Sequence, residues 1–232
     1  MTKPFLNAYY DPQRTAQALA DGEHRDWVGG MWEEIGRMQF EFLRDQGLRP
    51  QDRLLDVGCG CFRGGVHLVD YLEPGRYYGI DISQELLDVG YEREIIPAGL
   101  HEKLPRENLL SDDGFRAAAF GERFDVALAQ SVFTHLPLNH FQLCMARLSA
   151  AMRPGGRFYV TAFICPEGSD WTEPLRHERG GITTNPAQDP FHYRLQDFEH
   201  GIRGLPWKMQ HYGDWGHPRD QSMLIFTRSD AQ

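Results

Sequence analysis

A doubly wound α/β fold with a mainly parallel sheet is what this sequence predicts, on three observations. Short apolar runs alternate with segments of helical period from Arg53 onward, which implies right-handed crossovers and a sheet covered on both faces. The first run, Arg53-Leu54-Leu55-Asp56-Val57, ends directly in glycines, as a parallel strand does when its chain must turn tightly toward a helix. At 232 residues with 41% hydrophobic side chains, the chain is long enough for one such domain with additions, and too apolar for a disordered polymer.

Ahead of the sheet, residues 12–46 read as two helices. The second carries Trp27, Met31, Ile35, Met38, Phe42 and Leu43 at helical spacing, and Gly47 and Pro50 end it. Residues 1–50 are therefore expected to form a helical cap or lid. Residues 51–232 would form the α/β domain, with a loop-rich insertion at about 166–195. After the first strand, a helix with His67, Leu68, Val69 and Leu72 stops at Pro74-Gly75. Tyr77-Tyr78-Gly79-Ile80 is the second strand and closes at Asp81; Ser83 then caps a helix over 84–96. Asn108-Leu109-Leu110 is a weaker strand, and 124–130 (FDVALAQ) a buried one. Pro137 suits the first turn of a helix reaching about Met152. Pro154-Gly155-Gly156 then turns the chain into a strand over 157–164, and strand-like segments recur at 207–212 and 221–227.

Composition narrows the function classes. The formal charge is −9 and there is no run of lysine or arginine, which disfavours nucleic acid and anionic membrane surfaces as partners. Acidity of this kind chiefly confers solubility. The four cysteines, Cys59, Cys61, Cys144 and Cys165, show no C-x-x-C pair and no ligand spacing with histidine. A Cys59–Cys61 disulfide would be strained. Reduced thiols in a cytoplasmic protein, and no metal site, are the expectation. Met1-Thr2-Lys3-Pro4-Phe5 lacks the apolar core of a secretion signal, and no apolar run has the length of a bilayer span.

The strand-to-glycine junction lets backbone approach a ligand closely, yet alone it leaves the nucleotide open. Asp56, just before the glycines, can accept a hydrogen bond from an ammonium group. Asp81 ends the second strand 25 residues later. There it can hold both hydroxyls of a ribose, or simply favour the start of the next helix by its charge. NAD is the competing cofactor, because Gly58, Gly60 and Gly64 give G-x-G-x-x-x-G and Asp81 would serve an adenine ribose. Asp56 counts against NAD, since it would repel a pyrophosphate.

Four segments occur in order: LLDVGCG at 54–60, YYGIDIS at 77–83, FDVALAQSVFTHLP at 124–137 and RPGGRFYV at 153–160. Together they resemble the class I S-adenosylmethionine-dependent methyltransferases of small-molecule type, over roughly residues 50–165. The resemblance implies a Rossmann-like sheet of seven strands with the last antiparallel. It also implies S-adenosylmethionine as cofactor, S-adenosylhomocysteine as product, and methyl transfer to oxygen or nitrogen of a small molecule such as a secondary metabolite or sugar. By the same resemblance Asp56, Gly58, Cys59 and Gly60 face the methionine end, with Gln130 and Ser131 near it. Asp81 holds the ribose with Ile82 beside it, and Asp112 or Asp113 with Phe115 flanks the adenine. One departure stands out: Phe62 occupies the place of the family's third glycine, so the loop must take a different path. Arg63 then pairs with the cofactor carboxylate or lies exposed on a helix. A methyltransferase acting on protein or RNA, and a non-catalytic partner subunit that binds the cofactor, are the rival readings; a homodimer is left open.

For an acceptor hydroxyl, transfer needs alignment and removal of a proton. His135 lies just past the fourth strand, at the sheet edge where such folds bind ligands, and an imidazole there can serve as base or as a helix cap. The segment GDWGHPRDQSML at 213–224 brings Trp215 and His217 together ahead of a strand. With Trp27 and Trp32 from the amino-terminal helices they are the candidate substrate-binding residues, along with His135, unless they are a packed aromatic loop.

Overall fold

The structure, a computed structural model, describes residues 6–230; Met1–Phe5, read above for the missing secretion signal, lie outside the described residues. The chain divides into two compact units, Met1–Asp113 and Gly114–Gln232, so the division by packing falls within the α/β part and not at the end of the helical cap. Among the described residues no helix is long and apolar enough to cross a membrane.

The first unit opens with three helices where the sequence suggests two: α1 (Pro12–Ala20), α2 (His24–Trp27) and α3 (Trp32–Asp45). Asp11 caps α1 by accepting from the backbone N–H of Gln13 and Arg14. The expected long second helix is cut because Gly29, Gly30 and Met31 all take positive φ (97°, 60° and 48°), which a right-handed helix cannot continue through. Met31 is consequently exposed, and the buried stripe of α3 runs through Ile35, Gly36, Gln39 and Leu43. Strand β1 (Leu54–Val57) pairs in parallel with β2 (Tyr77–Asp81), and β2 with β3 (Leu109–Ser111). Every residue of β1 and β2 is buried, as expected of parallel strands covered on both faces. Between them run α4 (Gly65–Tyr71) and, after β2, α5 (Gln84–Gly90). Ser83 caps α5, its Oγ accepting from Leu86 N at 3.1 Å. The helix expected over 84–96 changes geometry midway: Tyr91–Ile95 form a π-type turn.

In the second unit β4 (Phe124–Ala129) pairs in parallel with β5 (Met152–Ile164), and the last strand, β10 (Ser222–Arg228), runs antiparallel to both β5 and β9 (Trp207–Gly213). The Pro154-Gly155-Gly156 turn lies inside β5. The register jumps from Phe124↔Met152 to Val126↔Arg157, so the surplus residues bulge out of one long strand. Helix α6 (Leu138–Ala151) follows Pro137 as expected. The 166–195 insertion is not all loop: β6 (Leu175–Arg176) and β7 (Thr183–Thr184) pair antiparallel, and β8 (His192–Tyr193) adds in parallel to β5. It leads into α7 (Leu195–Gly201), a helix the sequence did not announce. Phe141 stacks edge-on against Phe133 and Phe198 and packs on Phe226, tying α6, α7 and β10 into one core. The fold is thus the mixed α/β class expected, with mainly parallel strand pairing and an antiparallel final strand.

Candidate active site

Beyond β1 the chain runs Gly58-Cys59-Gly60-Cys61-Phe62, and Gly58, Gly60 and Phe62 take φ of 73°, 54° and 70°. Phe62 therefore adopts the left-handed conformation of the glycine it replaces. The strain of a bulky residue there is borne by a fully buried ring, packed edge-on against Tyr77 at 6.3 Å between centroids. Gly58 N and Cys59 N donate to Ile80 O (2.7 and 3.1 Å), and Gly60 N donates to Asp81 Oδ2 (2.8 Å). These three loop N–H groups thus turn toward β2 and the acid that ends it.

Two buried carboxyls flank the loop. Asp81 accepts from Gly60 N and, through Oδ1, from Ser83 N at 3.0 Å. Burial raises it above the usual carboxylate range against these hydrogen bonds. Asp56 accepts from the Tyr77 phenol at 2.7 Å. Burial pushes Asp56 up to about 7; the Tyr77 hydrogen bond and Arg63 pull it down, and the charge of Asp81 adds to the rise. The loop thiols are held protonated by burial, Cys61 being pushed up to about 12. Ile82 is half-buried, and Asp112 is buried with its N–H donating to Asp81 O at 2.8 Å.

The segment 24–30 lies against this loop. Arg63 Nη1 donates to Val28 O (3.1 Å) and Gly30 O (2.9 Å), so the guanidinium is buried rather than exposed on a helix and is engaged with backbone carbonyls. Cys61 Sγ donates to His24 O at 3.4 Å. Glu94, on the π-type turn, accepts from His24 Nε2 (2.7 Å) and from Arg25 Nε and Nη2 (2.8 and 2.7 Å). Burial alone would raise Glu94; the hydrogen bonds from Arg25 and His24 outweigh it and hold the carboxyl below its ordinary value. Trp32 supports this cluster, with the Arg25 guanidinium 4.7 Å above its ring. Trp27 packs edge-on to Tyr9, and its buried Nε1 has no hydrogen-bond partner among the described residues.

The second unit holds a polar cluster of its own. Ser131, at φ 60°, donates from N to Thr161 Oγ1 (2.7 Å) and from Oγ to Gln221 Oε1 (2.9 Å), and Thr161 Oγ1 donates to the same oxygen (2.7 Å). Gln130 Nε2 donates to Ser131 Oγ at 3.0 Å and stands 3.2 Å from His217 Nε2. Gln130 Oε1 is buried with no hydrogen-bond partner among the described residues. Trp215 stacks on the fully buried His217 and donates from Nε1 to Gln221 O at 3.0 Å. Phe115 is buried at φ 56° and packs on Phe133. His135 Nδ1 lies 2.6 Å from Asp189 Oδ1, with both side chains part-exposed.

The structure therefore gathers Asp56, Gly58, Cys59, Gly60, Arg63, Asp81, Ile82 and Asp112 within the first unit, and Gln130, Ser131, Trp215 and His217 within the second. Sequence reasoning gave no role to Tyr77, Thr161 and Gln221, and it weighed Asp189 only as a metal ligand, not as the partner of His135. Tyr77 had a readable signal, a hydroxyl at the head of a short strand that ends in Asp81. Asp189, in the insertion, had none. Among the described residues no group of three or more His, Cys, Asp or Glu is placed to hold a metal ion.

Comparison with known proteins agrees with this architecture. Residues 55–158 match the family described as a methyltransferase domain. A demethylmenaquinone methyltransferase of Symbiobacterium thermophilum is 27% identical over 159 residues, 64% of this chain and 54% of that protein. A phthiotriol/phenolphthiotriol dimycocerosates methyltransferase of Mycobacterium tuberculosis is 31% identical over 106 residues, 46% of this chain and 36% of that protein. The chain thus spans only about a third to a half of the length of these relatives. Among solved structures, an S-adenosylmethionine-bound amino pentose methyltransferase of Micromonospora echinaspora, involved in calicheamicin biosynthesis, superposes with a TM-score of 0.61. It is 17% identical, over 96% of this chain and 99% of that one. The chain thus shares the fold of this solved methyltransferase structure.

Proposed function

We propose that this chain binds S-adenosylmethionine and transfers its methyl group to an oxygen or nitrogen of a small molecule. The observation that carries the reading is the pair of buried carboxyls, Asp56 and Asp81, around a loop whose N–H groups face Ile80 and Asp81. A pyrophosphate needs outward N–H groups and positive surroundings; this loop offers acid. A sulfonium cofactor with an ammonium group and ribose hydroxyls has the opposite needs, which the residues present fit. Asp81 would hold the ribose hydroxyls on the lone pairs that Gly60 and Ser83 leave, and Asp56 would face the ammonium end. Ile82 and Asp112 would border the nucleoside.

Bound S-adenosylmethionine supplies an activated methyl group on a positively charged sulfur. The chain's own part is to bind, align and handle the proton. Trp215, His217 and the Gln130–Ser131–Gln221 cluster suit a small acceptor with polar groups better than a macromolecule, and the related proteins named above carry small-molecule names. A cytoplasmic location, suggested by four free, buried cysteines, belongs to the same reading. Calorimetric titration with S-adenosylmethionine, with NAD as control, tests it. Micromolar binding of the first alone is expected; binding of NAD alone would overturn the assignment.

A further inference from the structure

We propose that Asp189 is a positioning residue that fixes the tautomer of His135, and that the pair takes the proton of an acceptor hydroxyl, which makes the reaction O-methylation. The proposal rests on the methyltransferase reading above. Its geometry is local to the second unit. His135 sits between β4 and α6, and its backbone is held there: Thr134 Oγ1 donates to Ser131 O at 2.6 Å, and His135 N donates to Val132 O at 3.1 Å. Asp189 comes from the insertion, which is anchored next to it by Phe191 N donating to Thr134 O at 2.7 Å and Asn185 N donating to Pro190 O at 2.8 Å. Two chain segments 54 residues apart are thus pinned so that Nδ1 and Oδ1 meet at 2.6 Å.

A carboxylate only accepts, so His135 Nδ1 carries the proton and donates it to Asp189 Oδ1. In the neutral ring the other nitrogen, Nε2, is then the basic atom. A histidine whose Nδ1–H is oriented by a carboxylate, with Nε2 as proton acceptor, is an arrangement that suits general-base catalysis, whatever the fold. The chemistry of the acceptor follows. A neutral amine attacks with its own lone pair, while an alcohol or phenol must shed a proton as it attacks. As the acceptor oxygen gains the methyl group, its O–H proton passes to His135 Nε2. The carbon–sulfur bond breaks with its electron pair going to sulfur, so the positive charge moves from sulfonium to imidazolium. Asp189 stabilises the imidazolium so formed.

The test reads the ring directly and needs no acceptor. Protein labelled with nitrogen-15 at histidine, loaded with S-adenosylhomocysteine, is examined by NMR through a pH series, with His135 assigned by its loss in His135→Gln. Wild type should show a pyrrole-type Nδ1 and a pyridine-type Nε2 in the neutral ring. Asp189→Asn should move the population toward the Nε2–H form, and Asp189→Glu should restore part of the native pattern. An Nε2–H tautomer in wild type, or a pattern unchanged in Asp189→Asn, overturns the proposal. In parallel, S-adenosylhomocysteine release is followed with matched small phenols, alcohols and amines. Turnover of hydroxyl acceptors should fall about a hundredfold in kcat for Asp189→Asn, with cofactor affinity kept. Turnover confined to amines, or hydroxyl turnover unaffected, overturns it as well, and a panel without turnover throws the decision on the nitrogen spectra. Wild type that fails to bind S-adenosylmethionine would sink the cofactor reading instead, and the tautomer result would stand apart from it.

Discussion

The phenol of Tyr77 donates a 2.7 Å hydrogen bond to Asp56 Oδ2, within a wholly buried pair of adjacent strands. This bond, together with the charge of Arg63, offsets part of the cost of burying the acid that precedes the glycine loop.

The proton on Asp56 should be visible in stability. Its folded value of about 7 lies above the ordinary 3.8, so the folded chain holds this proton more tightly than the unfolded one. The stabilising contribution is complete below the ordinary value and is lost as pH rises toward 7, at up to about 1.4 kcal/mol per unit. Denaturant midpoints of wild type and Asp56→Asn are expected to diverge between about pH 4 and pH 7, with wild type losing ground. A constant gap would show that Asp56 is ionised throughout. If the acid faces the cofactor ammonium, binding at mildly acidic pH should also release a proton, measurable by calorimetry in buffers of different ionisation heat.

Asp81→Ala should weaken S-adenosylmethionine binding by roughly 1–3 kcal/mol, the cost of unpairing hydrogen bonds to a charged group. The same change strips acceptors from Gly60 N and Ser83 N, so the variant should also unfold earlier. Asp81→Asn keeps a carbonyl oxygen for one of these donors and should separate the two losses. Calorimetry and a thermal melt on both variants make the comparison; undiminished affinity would remove Asp81 from the site.

Gly36→Ala, in the middle of α3, ordinarily favours a helix by about 1 kcal/mol. Here a Cβ would stand 2.4 Å from Arg63 O. Overpacking against backbone should reverse the sign and destabilise by roughly 1–3 kcal/mol, read from chemical denaturation. A more stable variant would mean that α3 is not seated on the loop as described.

Glu94→Gln should loosen the amino-terminal helices by about 1–3 kcal/mol, a range set below that for fully buried pairs because Arg25 is half exposed. Glu94 is held below its ordinary 4.5, so its contribution is present above that value and fades as pH falls below it. The gap between wild type and variant should close in acid. Hydrogen exchange of α1 and α2 at neutral and acidic pH checks this; equal protection in both proteins would show that the cluster does not hold the helices.

The positions of the first strands and of the loop were legible because their signals are local. The apolar runs of β1, β2 and β4 each end in residues that cannot continue them, and Ser83 and Pro137 mark helix starts within a few residues of where they begin. The breaks at Gly29 and Gly30 were equally local but were overruled by a periodicity that ran across them. The helix α7 went unseen because seven residues with Phe198 as the one wholly buried side chain give too short a pattern to register. The partners of the site residues were illegible for a different reason. Tyr77 reaches Asp56 across 21 residues, Gln221 reaches Ser131 across 90 and Asp189 reaches His135 across 54, and no local preference encodes a meeting that only the assembled strands and insertion produce. The sequence also left Arg63 between two roles, and neither anticipated its bonds to the carbonyls of Val28 and Gly30.

Those two bonds have a kinetic consequence. A Cβ on Gly60 would touch Val28, so the 28–30 turn rests on the glycine loop, and lifting it requires breaking both bonds of a buried guanidinium. At about 1.5–3 kcal/mol each, that is a barrier increment of roughly two to four powers of ten in rate. If the proposed cofactor binds beneath this turn, its release has to wait on those two bonds, and its residence time lengthens accordingly.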